Sequence, residues 1–537
     1  MKYLLLGLLV SLSLVGCQEK QTKTTADTFF VNNTQGEPSS LNPLTSNDGA
    51  GSIVQGYVLE TLLARDVDTY EWKPALAKSW EISKDKKSYT FVLRDGLKWH
   101  DGKPLTAEDV KFSFDAIFDP KLETAHLRPY YENIEKVEII DPVTVKFTLK
   151  DDYFKNFDVA AGLTVLPKHF YTDESRKKEF SKQLIGSGPY RLASYEKGKR
   201  IVFERNEEWW GRTDEKEKMT WNYPRIVMRF LTEENVTIET FKKGDLDFIS
   251  LRPETFMKKT DGPEWGTKLF KVQTSNKAPK GYTFVGWNLR HPILSDKKVR
   301  LALAKLYNRD FAMDKFEFNL SAHATGPIEP SSDFHPPTQK PIGFDPEGAL
   351  KLLTEAGWKD TDGDGLLDKV IKGKKTNFSV TILEPLPDYV KYLTIYKEEA
   401  KKLGVEINIQ QIEWNSFLKL IDERKFDAVR LAWGAGTGDP DPKQIWHSAS
   451  VDGNGSNFIG YSVPEVDRMI DQARREHDRP KRIKLLSKVY ETIANDAPYL
   501  FIFAGKSTLY SHNARVQKTR DTFGYGVGSE YWTLEKR

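Results

Sequence analysis

The sequence reads NFSVTILE at residues 377–384, VEINIQQI at 405–412 and FDAVRLAW at 426–433. Each stretch has the length of a buried strand and the Val, Ile and Phe content typical of one. Residues 389–403 have the apolar spacing of an amphipathic helix that Gly404 ends, and residues 414–424 have that of a second helix. A strand–helix–strand–helix–strand order in one sheet requires right-handed crossovers and parallel pairing. The region therefore predicts an α/β fold.

The rest of the chain also mixes short strands with helices of medium length, and it contains no internal repeat. Thr106 with Asp109 forms a capping-box pattern before VKFSFDAIF. Asp345 followed by Pro346 is a start signal for the helical pattern EGALKLLTEA. The apolar residues of segment 464–497 are spaced as two further helices before the strand YLFIF. An α/β class is predicted throughout.

The N-terminus has the features of an export signal. Lys2 supplies a positive charge, residues 4–15 form a short apolar segment, and Gly16 precedes Cys17, which is the only cysteine of the chain. The apolar segment is too short to span a bilayer and stop there. The stretch LVGC also resembles the bacterial lipobox. This resemblance implies that the Cys17 sulfur receives a diacylglycerol, that residues 1–16 are removed, and that the new amino terminus is acylated.

Two or more acyl chains hold a protein at a bilayer, whereas one chain gives only marginal and reversible binding. We therefore expect a lipid-anchored protein of the cell envelope, with the polar residues 17–27 as a flexible tether. Gln18 indicates outer-membrane sorting if the cell has two membranes. The alternative is a secreted protein in which Cys17 is incidental. A single cysteine excludes an intramolecular disulfide in both cases.

Length and charge exclude several classes of function. Of the 537 residues, removal of residues 1–16 leaves 521, which is too many for one hydrophobic core and predicts two or three lobes. No apolar run after the N-terminus reaches about 18 residues, so no transmembrane helix is expected in the body. The 80 basic and 77 acidic side chains nearly cancel, without a long block of one sign, so nucleic acid is not an expected partner.

The usual signatures of catalysis are missing. No two of the nine histidines lie three or four positions apart, and no G-x-S-x-G motif occurs. GKS at 505–507 lacks the first glycine of a phosphate loop, because Leu500 stands there. GAGTG at 434–438 lacks the third glycine of a dinucleotide fingerprint, because Asp439 follows. We therefore predict neither an enzyme nor a cofactor.

One acidic cluster resembles a calcium loop. DTDGDGLLD at residues 360–368 places carboxylates at loop positions 1, 3, 5 and 9 and a glycine at position 6. Position 12 should be a bidentate acid and is Ile371. The alternative is a solvated turn between a helix and a strand. Asp360–Asp368 is predicted to form this turn rather than a metal site.

The long segment PALAKSWEISKDKKSYTFVLRDGLKWHDGKPLTAEDVKFSFDAI, residues 74–117, resembles the signature of family 5 extracellular solute-binding proteins, which are peptide-binding lipoproteins of ABC importers. Other stretches match in family order and extend the resemblance over nearly the whole mature chain: GEPSSLNP (36–43), GSGPYRL (186–192), FKKGDLDFI (241–249), SDKKVRLALAKLYNRD (295–310) and GNGSNFIGYSVPEVDRMI (453–470). The resemblance implies a type II periplasmic-binding-protein fold with an extra domain, in which two lobes close about a hinge.

The resemblance also implies domain boundaries and partners. The expected division is lobe I at 28–69, 182–282 and 506–537, extra domain II at 70–181 and lobe III at 283–505. The expected partners are a small solute, most simply an oligopeptide, and the permease subunits of an ABC importer. Separate ATPase subunits would power transport, in agreement with the missing phosphate loop. The protein is expected to be a periplasmic monomer held to the membrane by its lipid.

The loop WGAGTGDPDP begins where the strand FDAVRLAW ends, and ligands of open α/β sheets bind beyond the carboxyl ends of strands. Its glycines allow the backbone to approach a ligand, and the tryptophan offers a flat face. The candidate ligand-binding residues here are Trp433, Gly434, Ala435, Gly436, Thr437 and Asp439. The alternative is a glycine-rich turn without a ligand.

The resemblance adds two expectations about this site. Peptide-binding relatives carry an aspartate three residues after the tryptophan that pairs with the α-ammonium of the ligand, whereas this chain has Gly436. Asp439 or Asp441 is a possible substitute, although Asp439 matches a family element that shapes the loop. On the opposite lobe, SNDGAG (46–51) matches a ligand-touching loop, with Asn47, Asp48 and Gly49 as candidates. The alternative is a turn before a helix predicted at 53–63.

We therefore expect a lipid-tethered receptor that closes on an oligopeptide and presents it to an importer. Within the same fold, the ligand could instead be an oligosaccharide or a metal chelate, which the glycine at position 436 favours. Two rivals from other classes are an envelope hydrolase and a structural envelope lipoprotein. Stoichiometric binding without turnover distinguishes a receptor from a hydrolase, and ligand-dependent compaction distinguishes it from a structural protein.

Overall fold

The computed structural model describes residues 27–46, 48–124, 126–434, 436, 438–452 and 455–535. The predicted export signal therefore lies outside the described residues. The same holds for four single residues of the sequence-based site, namely Cys17, Asn47, Ala435 and Thr437. Predictions about them stay predictions.

The α/β region at 377–433 forms one side of a six-stranded sheet. In order across this sheet, the strands are Ser321–His323, Tyr499–Gly505, Tyr282–Trp287, Ala428–Trp433, Ser379–Glu384 and Glu406–Gln411. The three predicted strands pair in parallel, and helices Val390–Lys401 and Trp414–Asp422 connect them. Gly404 has φ of +73°, the left-handed conformation that ends many helices. The predicted parallel unit is confirmed.

A seven-stranded sheet forms the second large layer. In order across it, the strands are Leu269–Thr274, Thr508–Asn513, Phe248–Ser250, Thr28–Asn32, Arg225–Arg229, Arg200–Arg205 and Tyr190–Glu196. The strand at 28–32 is parallel to both of its neighbours, and the other pairs are antiparallel. Its strands thus come from three separated parts of the chain.

A smaller antiparallel sheet has four strands, in the order Ala77–Ile82, Ser88–Leu93, Thr144–Leu149 and Ile134–Asp141. Helix Ala107–Phe118 packs on it and buries Val110, Phe114 and Ile117. The predicted capping box starts this helix, because the Thr106 amide donates to Asp109 Oδ2 at 2.9 Å.

The remaining long helices include three that the sequence predicts, namely Pro346–Glu355, Pro464–Arg475 and Arg479–Asp496. The others are Glu234–Lys242 and Lys297–Lys305. Shorter helices lie at Arg128–Tyr131, Asn156–Ala161, Lys168–Tyr171, Pro253–Lys258, Arg309–Ala312 and Lys443–Trp446. Two-stranded ladders pair Leu63–Arg65 with Trp72–Pro74, Asp368–Ile371 with Lys374–Asn377, and Val516–Gln517 with Thr533–Leu534.

The predicted helix at 53–63 is wrong in its limits, since the helix runs over Gly49–Val58. Asp48 is its N-cap and accepts from the Gly51 amide at 2.6 Å. Leu59, Leu62 and Leu63 are buried without being helical. Their apolar side chains extended the apparent periodicity beyond the true end of the helix.

The chain crosses between the two large sheets at 275–281 and at 506–507. Both faces of the six-stranded sheet bury apolar cores, one with Trp287 and Tyr396, the other with Trp446 and Tyr490. The type II binding-protein architecture is thus visible in two large sheets joined by two crossings. The exact division into lobes I, II and III stays a prediction.

Candidate functional site

A cavity of about 380 Å³ lies between the two large sheets. The seven-stranded side contributes Thr34 and Gln35, which follow the strand at 28–32, and Arg252, which follows the strand at 248–250. The six-stranded side contributes residues after the strands at 379–384 and 428–433, among them Leu386 and Gly434. The cavity therefore lies beyond the carboxyl ends of parallel strands from both sheets, where ligands of such folds bind.

Trp433 lines this cavity, as the sequence predicts. Its ring stacks near Phe284 and Phe458, with centroids 6.1 and 5.9 Å away, and its Nε1 donates to the Tyr499 hydroxyl at 3.3 Å. A Cβ at Gly281 would lie 2.2 Å from the Trp433 carbonyl oxygen, so glycine there permits the close approach of the crossing segment. The indole is thus held rigidly while one part of it remains open to a ligand.

The glycines after Trp433 leave the loop backbone accessible. Gly434 lines the cavity, and both Gly434 and Gly436 are exposed. No atom lies within 4 Å of a Cβ placed at either position, so packing does not require glycine there. A side chain at these positions would instead occupy space that a ligand could fill. This observation favours a binding loop over a simple turn.

Asp439 is held by two arginines. Its Oδ1 lies 3.1 Å from Arg479 Nε, and its Oδ2 pairs with Arg482. Asp439 does not line the cavity. Asp441 is the second residue proposed to replace the aspartate missing at position 436. It also has partners, since it accepts from the Tyr153 hydroxyl at 2.6 Å and from Arg474 Nε at 3.1 Å. Both carboxylates therefore have structural roles, and a direct contact with a ligand stays untested.

In the loop at 46–51, on the opposite side of the cavity, Asp48 stabilises the fold and Gly49 lies close to the cavity. Asp48 is buried, caps its helix and also accepts from the Ser39 amide at 2.9 Å. Gly49 lies against Gln35, because a Cβ there would be 3.4 Å from the Gln35 side chain. Gln35 lines the cavity, so Gly49 supports a cavity residue rather than lining the cavity itself.

Sequence reasoning missed the charged residues of the cavity. Arg430 and Arg252 line it, together with Tyr389, whose ring centroid lies 3.4 Å from Arg430 Cζ and 4.8 Å from Arg252 Cζ. Arg252 pairs with Asp388 and lies 3.6 Å from Glu234. A signal for Arg430 was available in the sequence, since an arginine inside the apolar strand AVRLAW is unusual.

Glu384 lies behind Arg430. It is fully buried, and its Oε1 accepts from the Leu386 amide at 2.8 Å. Burial raises the pKa of the Glu384 carboxyl to about 7, and the nearby Arg430 guanidinium opposes that rise. Glu317, which lines the cavity itself, accepts from the Tyr392 hydroxyl at 2.6 Å and from the Ser321 hydroxyl at 2.5 Å. Each carboxylate oxygen of Glu317 therefore already accepts one hydrogen bond within the protein.

The Asp360–Asp368 segment has the geometry of a turn. Asp360, Asp362 and Asp368 bring one carboxylate oxygen each within 4.8 Å of the others. The Lys375 ammonium pairs with Asp362 and lies 3.5 Å from Asp368 Oδ2. Asp360 accepts from the Gly363 amide at 2.7 Å. A lysine and backbone amides thus supply the positive partners of these carboxylates.

Among the residues that the structure describes, no helix is both long and apolar enough to cross a membrane.

Comparisons with known proteins agree with this architecture. The sequence profile described as bacterial extracellular solute-binding proteins, family 5 middle region, matches residues 71–455. The oligopeptide-binding protein AppA of Bacillus subtilis is 28% identical over 480 residues, which cover 87% of this chain and 84% of that protein. The structure of AppA in complex with a nonapeptide superposes with a TM-score of 0.84 at 26% identity and covers 95% of this chain and 99% of that one.

A second solved structure shows another kind of ligand in the same architecture. NikZ from Campylobacter jejuni, in complex with Ni(L-His), superposes with a TM-score of 0.79 at 26% identity and covers 94% of this chain and 99% of that one. The profile match extends over more than half of the chain and therefore shows the family. Members of this family are α/β binding proteins and not enzymes, and the same holds for this chain. The chain belongs to the bacterial extracellular solute-binding proteins of family 5.

Proposed function

We propose that this chain is the substrate-binding lipoprotein of an ABC importer, which captures an oligopeptide between its lobes and delivers it to the permease. The observation that carries the proposal is the cavity beyond the strand ends, where Arg430, Trp433 and Gly434 meet. Together they offer a cation, an aromatic face and accessible backbone, which match the carboxylate, side chains and amides of a peptide. AppA, with the same architecture, was solved with a nonapeptide.

Capture requires that the closed form gain contacts which the open form lacks, because a ligand with equal affinity for both forms shifts no equilibrium. The cavity walls come from both large sheets, so a ligand there touches Gln35 on one side and Trp433 on the other. The Arg430 guanidinium can donate two parallel hydrogen bonds to one carboxylate. We assign to Arg430 the terminal carboxylate of the peptide.

The other end of the peptide has no equivalent anchor at position 436, where this chain has glycine. Among the described residues, the acid that lines the cavity is Glu317, and it already accepts from two hydroxyl groups. The geometry therefore favours recognition of the carboxylate over recognition of the ammonium group. A carboxylate-bearing metal chelate is the second candidate, because NikZ was solved with Ni(L-His).

Arg430→Met is expected to weaken binding of tripeptides by about 10- to 100-fold, because it removes hydrogen bonds from a charged donor worth about 1.5–3 kcal/mol. Isothermal titration with a mixture of random tripeptides measures the effect. The same mixture with amidated C-termini should bind weakly to the wild type and be insensitive to the substitution.

Lys401→Met, at an exposed position on a neighbouring helix, is the matched control and should bind like the wild type. Equal weakening of both peptide mixtures would contradict the assignment of the carboxylate to Arg430. Tight binding of a nickel chelate or an oligosaccharide, with no peptide bound by any variant, would contradict the peptide proposal itself.

We also propose that Cys17 anchors the protein, on the side away from the cytoplasm, to a membrane of the cell envelope. Cys17→Ser is expected to keep the protein out of the membrane fraction, because dual or triple acylation is what makes such anchoring stable. Detergent phase partitioning and the intact mass of the N-terminal peptide measure this. An unlipidated wild type that is recovered in soluble form would contradict the proposal and favour simple secretion.

A further inference from the structure

Glu384 and Arg430 are neighbours on two parallel strands. Ile382 pairs with Ala428 and Leu383 with Val429, so Glu384 and Arg430 lie opposite each other one residue further along the same register. Glu384 is 0% and Arg430 5% exposed. Arg430 Nε lies 3.7 Å from Glu384 Oε2, which is close enough for a strong Coulomb attraction but too far for a hydrogen bond.

Both groups keep unused hydrogen-bonding capacity. Glu384 Oε2 is buried and has no hydrogen-bond partner. In the described part of the chain, the Arg430 guanidinium forms no hydrogen bond, although it carries five N–H donors. The guanidinium faces Glu384 and stacks on the ring of Tyr389. Since Arg430 lines the cavity, its donors are available to a ligand.

Arg252, the other cation of the cavity, differs in this respect because it already pairs with Asp388. Among the described residues, Arg430 is therefore the cavity cation whose guanidinium donates no hydrogen bond, and Glu384 is the acid nearest to it. The further charged or titratable groups that line the cavity are Arg252, Tyr282, Glu317, Tyr389 and Tyr392. The adjoining pocket adds Glu234, Glu254, Lys259, Asp388 and Lys391.

We propose that Glu384 is a positioning residue that neutralises Arg430 in the empty cleft, and that a ligand carboxylate replaces it as the counter-ion, so that capture tightens when Glu384 becomes protonated. This inference rests on the proposed function. It adds a proton-linked control of carboxylate binding, set by a side chain that does not itself touch the ligand.

The direction of the pH effect follows from charge. When Glu384 is ionised, Arg430 is already compensated, and an entering carboxylate is repelled by a buried acid. When Glu384 is neutral, Arg430 keeps an uncompensated positive charge and attracts the carboxylate. Because the pKa of Glu384 is raised to about 7, chiefly by burial, affinity should rise as pH falls through that value. One proton limits the slope to about tenfold per pH unit.

The test measures binding of random tripeptides with free C-termini between pH 6 and pH 8, by isothermal titration to the full mature chain. We expect the wild type to bind about tenfold more tightly at pH 6 than at pH 8. Glu384→Gln should bind at pH 8 as the wild type does at pH 6, and should lose most of the pH dependence. Glu398→Gln, at an exposed position on helix Val390–Lys401, is the control and should keep the wild-type profile.

The α-amino group of a peptide also titrates, near pH 8. Its contribution is common to wild type and variants, so the difference between their profiles isolates Glu384. A measurement on the wild type alone gives a second readout. Calorimetry at pH 7.5 in buffers of different ionisation heat gives the number of protons that the complex takes up on binding. This number should be larger for tripeptides with a free C-terminus than for their C-terminal amides. This readout does not depend on the folding of a variant.

Three outcomes would overturn the inference. One is a Glu384→Gln profile with the slope of the wild type. Another is weaker binding by Glu384→Gln at every pH, which would mean that Glu384 attracts a ligand cation. The third is equal proton uptake by free acids and amides. In each of these cases peptides still bind, so the proposed function stands, whereas absence of any peptide binding would remove both.

Discussion

Asp247→Ala is expected to lower the free energy of unfolding by about 3–5 kcal/mol, the usual cost of removing one partner from a buried ion pair. Asp247 is 0% exposed. Its Oδ2 accepts from the Phe30 amide at 2.8 Å, and its Oδ1 accepts from Asn513 Nδ2 at 2.6 Å and Arg515 at 3.0 Å. One carboxylate therefore ties together three parts of the chain that are distant in sequence.

The loss should be large because the other acceptors that the described residues offer are more distant: Arg515 keeps the Thr28 carbonyl at 3.3 Å, and Asn513 Nδ2 keeps the Leu246 carbonyl at 3.4 Å. Arg515 has a side chain only 11% exposed, and alanine would leave its guanidinium without the carboxylate it faces. The Phe30 amide would also lose its acceptor, and an unsatisfied buried donor costs about 1–3 kcal/mol. Asp247→Asn should be intermediate, since its amide group replaces one acceptor by a donor.

Urea denaturation followed by circular dichroism measures the effect. Asp245→Ala is the matched control, because Asp245 is exposed two residues away, and it should shift stability by no more than about 0.5 kcal/mol. Equal stability of the two variants would show that the buried carboxylate does not hold the three segments together.

Asp247 also shows what a sequence can and cannot reveal. It lies in FKKGDLDFI, a stretch that resembles the family pattern, but its partners are 217, 266 and 268 residues away. Nothing local identifies such a partner. By contrast, the parallel unit at 377–433 and the capping box at Thr106 depend on neighbouring residues, and the structure confirms both.

In the binding site, too, some residues could be predicted from the sequence and others could not. Trp433 and Gly434 could be predicted because they lie at the carboxyl end of a strand, where ligands bind in this class of sheet. Arg430 lies within the quoted strand FDAVRLAW, yet periodicity does not tell which face of a buried strand opens on a cavity. Glu384 is harder still, since its role depends on the register between two strands. Asp48 was a candidate because its loop resembles a ligand-touching loop of the family; the structure shows that it caps a helix, and its contact with a ligand stays a prediction.

The second large effect is expected at the contact between the proposed extra domain and lobe III, which we call the closure contact and define as Glu132, Tyr153, Asp441, Lys443 and Arg474. Arg474→Ala should favour the open form by about 2–5 kcal/mol, the cost of truncating a buried, hydrogen-bonded charge. At least a 30-fold loss of tripeptide affinity would follow, because part of the free energy of ligand binding must then drive closure.

Arg474 is central to the closure contact. Its Nη1 lies 3.2 Å from Glu132 Oε1, and its Cζ lies 4.2 Å from the Tyr153 ring, so it contacts the proposed extra domain twice. It also neutralises Asp441, whose side chain is only 6% exposed and accepts from the Tyr153 hydroxyl. In an open form the same ion pair would face water and be worth about 0–1 kcal/mol. The loss on truncation therefore falls mainly on the closed form.

Small-angle scattering of the ligand-free protein tests this without a ligand, because the Arg474→Ala variant should have the larger radius of gyration. Arg475→Ala is the matched control: its side chain is exposed one residue away, and no ion pair involves it in the described residues. Raised salt should weaken the closure contact only slightly, since its central groups are buried. If both variants scatter and bind tripeptides alike, closure depends on the ligand contacts at Arg430 and Trp433, and the closure contact contributes nothing to it.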